Sequence, residues 1–211
     1  MEMLKCVPDT LKSLLHEPQS FPQQSPRRHT PFVCGNKGAR QTAKEHDSLP
    51  FLPENNIKSI QSTSGSFMCY ARALDSTMLP ALSEISCGQA KPTQHTRQEC
   101  QQLMDYAATH LNVIVRCCAS DMVLHVDSDA TYLVLSKARS RIAGSLQLSN
   151  HPNGNHAPFL NEEILIACNI LPHFVSSAAD SETEGLFYNC QLSIPIRCML
   201  EALVFKYVCV T

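Results

Sequence analysis

Apolar positions along the chain change period twice, and each change predicts a different kind of element. Leu4, Leu11, Leu14 and Leu15 fall near helical spacing, so a short helix is expected at the start, limited by Pro8. Pro18, Pro22, Pro26 and Pro31, separated by Gln, Ser and Arg, then predict an extended connector reaching to about residue 55. From Ile57 the residues Ile60, Phe67, Tyr70, Ala71 and Leu74 return every three or four positions and predict an amphipathic helix, with Gly65 expected to admit a close neighbour. Asp75 or Ser76 can cap a second helix, in which Pro80 sits in the tolerant first turn and Leu79, Leu82 and Ile85 face inward. A third begins near Thr93 and carries Cys100, Leu103, Met104, Ala107 and Leu111 on one stripe.

After Asn112 the period drops towards two. Val113–Cys118, Met122–Val126, Ser145–Leu148 and Ile164–Cys168 are short runs rich in Val, Ile and Leu, and they predict strands. Asn150–Asn155 reads as a turn, and His173–Ala179 as a further strand feeding a helix capped by Asp180 or Ser181. That helix is expected over residues 182–203 with a break or bend at Pro195, and Val204–Thr211 reads as a closing strand. The fold class expected is therefore α+β. It divides into a Pro-rich connector (1–55), a helical segment (56–118) and a small sheet with one long helix (119–211).

The 211 residues allow one domain or two small ones. Only 17% are charged, so a disordered polyelectrolyte is excluded, and no apolar run approaches the roughly 18 residues of a membrane span. The start shows no basic segment leading into an apolar one, and the compartment expected is intracellular. Eleven cysteines, an odd number with no C-x-x-C spacing, point to reduced apolar fillers rather than a disulfide framework or zinc knuckle. The net charge of -2 gives no general field for nucleic acid, but residues 119–211 hold nine acids against five Lys or Arg. The carboxylates thus collect at the C-terminal end.

Among those acids, Asp127 and Asp129 follow a buried-looking strand, and Glu182 and Glu184 lie in the first turns of the long helix. Carboxylates of this kind suit Mg2+, which takes oxygen ligands and supports phosphoryl transfer, while the plainer roles are a turn and a favourable helix N-terminus. Cys117 or Cys118 with His125 forms a nucleophilic pair on paper, but so many Cys and His generate such pairs by chance. His151 and His156 flank a turn without matching cysteines, and solvated histidines are the better account.

The stretches H-V-D-S-D-A (His125–Ala130), A-R-S-R-I-A-G (Ala138–Gly144) and V-S-S-A-A-D-S-E-T-E-G-L-F (Val175–Phe187) resemble the RNase H-like region of copia-type retrotransposon polyproteins. Upstream, Y-A-R-A (Tyr70–Ala73), D-S-T-M-L (Asp75–Leu79) and Q-Q-L-M-D-Y-A-A-T-H (Gln101–His110) are similar to the segment joining the reverse-transcriptase thumb to that domain. The likeness runs from about Pro8 to Leu203. It implies a truncated RNase H-like mixed sheet, with Asp127 and Glu182 as metal ligands and catalytic acids, and Asp129 and Glu184 as neighbours only. Two Mg2+ ions would act on the RNA strand of an RNA/DNA hybrid, with Arg139 and Arg141 on hybrid phosphates.

The chain departs from that pattern in having no Asp after Asp180 and no Y-x-D-D polymerase motif, so two of four carboxylates are present and little hydrolysis is expected of it alone. A non-catalytic remnant that binds nucleic acid or packs against another polyprotein segment is the competing reading. An open sheet edge rich in Val and Ile is expected to aggregate or to find a partner. Ser62 and Ser64 put hydroxyls on a helix where apolar groups are usual, at a cost unless they are hydrogen-bonded.

Overall fold

The structure, a computed structural model, describes residues 6–14, 31, 49–111, 113–135, 138–151 and 159–203. The chain divides into two compact units, with a boundary between Ile114 and Val115. The class is α+β, with helices gathered in the first unit and an antiparallel sheet with one long helix in the second. Val204–Thr211, where the closing strand was expected, lies outside the described residues, as does most of the Pro-rich stretch between Leu15 and Ser48, of which Pro31 alone is described.

In the first unit α1 (Cys6–Ser13) is more than a preface to a connector. Its buried Val7 and Leu11 pack it on α2 (Glu54–Ala73) and on α4 (Gln94–Thr109). A short 3-10 turn (Ser76–Met78) leads into α3 (Leu79–Gly88), with Pro80 tolerated at the helix start because its missing N–H would have had no partner there. Phe67, Met78, Leu82, Ile85 and Leu103 are fully enclosed and form the core. Helix α4 begins near Thr93 as expected, and Thr93 caps it through a reciprocal box in which its hydroxyl accepts from the Thr96 N–H at 3.4 Å.

Two details of α2 correct or resolve the reading of its small residues. Gly65 has nothing within 4 Å of where a Cβ would be, so it admits no close neighbour. Ser64 is buried but satisfied, its hydroxyl 2.6 Å from that of Ser86 on α3, whereas Ser62 faces solvent.

In the second unit β1 (Val123–Leu135), β2 (Arg139–Ser149) and β3 (Leu160–Ile170) form a meander in the order β1-β2-β3, both pairings antiparallel. The strands are longer than the apolar runs suggested. Val113–Cys118 is not a strand, and neither is His173–Ala179, which holds bends and the cap of the next helix. That helix, α5 (Ala178–Ala202), continues through Pro195 and packs on β1 and β2.

Side chains alternate across a strand, so one face of the sheet lies under α5, and the other, the open face, meets no helix among the described residues. Leu124, Val126, Leu146 and Leu165 meet Ile196 and Leu200 on the helix side. Ser128, Ala130 and Ile142 lie against Gly185, and Asn169 donates to the Tyr188 hydroxyl at 2.6 Å on that same side. The opposite parity, His125, Asp127 and Asp129 on β1 with Arg141, Ala143 and Ser145 on β2, occupies the open face.

Candidate functional site

Asp127 sits inside β1, not at its end, and is exposed on the open face. Its Oδ1 is 3.1 Å from His125 Nε2, and its Oδ2 accepts from Gln147 Nε2 at 3.3 Å. The Gln147 amide also donates to Ser145 Oγ at 2.9 Å, so the carboxylate is tied to polar neighbours on its own face. Asp129 turns a different way: its Oδ1 accepts from the backbone N–H of Ala130 at 2.9 Å.

Glu182 is exposed on α5, on the other side of the sheet. The neighbouring Ser181 is buried, its hydroxyl donating to the Thr131 carbonyl at 3.1 Å, and Glu184 Oε1 lies 3.6 Å from His173 Nε2. The β1 residues that look towards α5 are Ser128 and Ala130, not Asp127. The structure therefore does not bring Asp127 and Glu182 together, which corrects the expectation that they share an ion. Among the described residues no three His, Cys, Asp or Glu side chains are grouped to hold a metal, and Asp127 and Glu182, on opposite sides of the sheet, are not placed as joint ligands of one ion.

Arg139 and Arg141 are neighbours on the open face of β2. Arg139 Nε and Arg141 Nε and Nη2 are buried with no hydrogen-bond partner among the described residues. An unpaired guanidinium N–H out of water is costly, and a phosphate or carboxylate oxygen is the acceptor it fits best. Across the ladder, burial pushes the Cys168 thiol up and the Arg141 charge pulls it partly back, so this cysteine stays protonated.

Beyond these residues, a cleft of about 370 Å³ opens at the start of β3, lined by Arg116, Cys118, Gln147 and Phe159–Glu163. Asn161 fixes its wall: Cys118 N–H donates to Asn161 Oδ1 at 2.8 Å, and Asn161 Nδ2 donates to the Cys118 carbonyl at 2.9 Å. Cys118 thus serves through its backbone, and the hydrogen bond of His125 recorded at its Nε2 is with Asp127. No spacing in the sequence marks Asn161 or Gln147, because both act through contacts made only once the strands are in register. His156 lies outside the described residues.

Compared with known proteins, the chain matches no family model, no curated protein and no solved structure. No helix among the described residues is long and apolar enough to cross a membrane.

Proposed function

We propose that this chain is a fragment of a copia-type reverse transcriptase/RNase H polyprotein whose RNase H-like portion keeps the scaffold without a working metal centre. The observation that carries the reading is the order of elements. An antiparallel three-strand meander followed by a long helix packed on one face holds the quoted stretches at β1, β2 and the start of α5. In the parent element Mg2+ would serve hydrolysis of the RNA strand of a hybrid through a full carboxylate set. This chain lacks that set, and the separation of Asp127 from Glu182 supports inactivity.

A second reading, a non-catalytic module that binds nucleic acid, is favoured by the guanidinium nitrogens of Arg139 and Arg141 that have no partner among the described residues. Both are tested on the full chain with an RNA/DNA hybrid and Mg2+. No metal-dependent cleavage is expected, and Asp127→Asn and Glu182→Gln should match the parent. Cleavage lost in both variants would overturn the inactive assignment. Hybrid retardation in a gel, weakened by Arg141→Ala, supports the binding module, and its absence removes it.

A further inference from the structure

Among the described residues no strand pairs with the outer side of β1, and its hydrogen-bonding groups can be assigned from two contacts in β2. Arg141 N–H points towards β1, where Thr131 Oγ1 accepts it at 3.2 Å. The Ser140 carbonyl points the other way and accepts from Leu171 N–H at 2.9 Å, beyond the end of β3. Alternation along the antiparallel ladder then turns the backbone of Asp127, Asp129 and Thr131 towards β2, and that of Val126, Ser128 and Ala130 outward, while Leu124, outward by the same parity, is fully enclosed. Among the described residues no strand pairs with these outward groups. Ala130 N–H is held by Asp129 Oδ1.

Regular pairing on β1 runs from Val123 to Thr131 and is bounded by residues at positive φ, Met122 at 59° and Leu133 at 54°. Val123–Leu135 contains Asp127 and Asp129 and no Lys or Arg. We propose that this edge is a docking surface for an extended basic segment of another protein, added as a further strand, with Lys or Arg at alternate positions opposite Asp127 and Asp129. The backbone ladder supplies the attachment and the charges select the guest. On docking, Ala130 N–H passes from Asp129 to a guest carbonyl, and the released carboxylate meets a guest cation. A second copy of β1 is the wrong occupant, because its own acids would face these across the ladder. The proposal stands on the strand edge alone and is independent of the retroelement reading.

The test uses the full chain and three labelled peptides of about eight residues: alternating Val and Lys, alternating Val and Glu, and the Lys peptide with a central Pro. Anisotropy is expected to show the Lys peptide binding about tenfold more tightly than the Glu peptide. Proline should abolish binding because it cannot donate to a ladder. Amide exchange should slow at Val126, Ser128 and Ala130 only when the Lys peptide is present. Asp129→Asn keeps an oxygen for the Ala130 N–H but loses the charge, and should narrow the Lys-to-Glu preference severalfold. Equal binding of the Pro-interrupted peptide would reduce the effect to charge attraction and overturn the proposal. So would no binding at all, or protection of the same amides in the peptide-free chain, whether from a second copy or from another part of this chain.

Discussion

Asn189 of α5 lies against Gly144 of β2 so closely that a Cβ on the glycine would overlap the Asn189 carboxamide. The amide nitrogen uses that approach, donating to Ser128 Oγ and to the Ala143 carbonyl, each at 2.9 Å. A fully buried polar group thus fastens the helix to two strands at once. Gly144→Ala should cost about 1–3 kcal/mol through overpacking. Asn189→Ala should cost a similar amount, about 1–3 kcal/mol, by leaving buried partners unsatisfied. Because the two side chains compete for one space, the double variant should be less unstable than the sum of the singles. Urea unfolding followed by circular dichroism measures all three.

The apolar end of the same helix is held by Leu124, Leu146 and Leu200. Leu146 is completely enclosed, so Leu146→Ala should cost about 2–5 kcal/mol in the same urea experiment.

Helix α5 starts at Ser177, whose hydroxyl accepts from Asp180 N–H at 3.0 Å. Ser177→Ala should lower stability by about 1 kcal/mol, read as a shift in the unfolding midpoint.

Ser176 donates both its hydroxyl and its N–H to the Asp180 carboxylate, and these bonds hold the Asp180 carboxyl below its ordinary pKa. A depressed pKa means that the ionised form favours the folded state. The contribution is complete above the unfolded value of about 3.9 and disappears as pH falls through the lower folded value. Thermal melts between about pH 5 and pH 2 should therefore fall less steeply for Asp180→Asn than for the parent.

In the first unit the Thr93 box closes α4, and Thr93→Ala should cost about 1 kcal/mol, with little change on Thr93→Ser. Thermal unfolding by circular dichroism checks both variants.

The helices were readable because Ile60, Phe67 and Tyr70, and likewise Cys100, Leu103 and Ala107, repeat an inward face at helical spacing even though buried polar residues such as Thr63 and Ser64 share it. Pro80 and Thr93 marked helix starts for stereochemical reasons that hold in any context. The strands were harder. Asp127, Ser128 and Asp129 look like a turn, yet they continue β1, because the open face tolerates acids while the small Ser128 and Ala130 let Gly185 approach. Val113–Cys118 has a strand's composition but remains irregular, with Ile114 exposed and Asn161 holding the Cys118 backbone.

The site misled for a related reason. A strand's side chains change face with every residue, so whether Asp127 or Ser128 looks at the helix is a matter of register, and sequence carries that only weakly where both faces are mixed. The guanidinium nitrogens of Arg141, without a partner among the described residues, and the Asn161 clamp are set by the packing of strands and left no trace in the spacing.

Proline at position 195 gives α5 a consequence of its own. With no N–H there, one rung of the helical ladder is missing between the half fastened by Asn189 and the half seated on Leu124 and Leu146. The two halves can therefore melt in sequence rather than together. The C-terminal turns, whose grip is greasy and without direction, should lift from the sheet while the amide anchor still holds the rest of the rod in register.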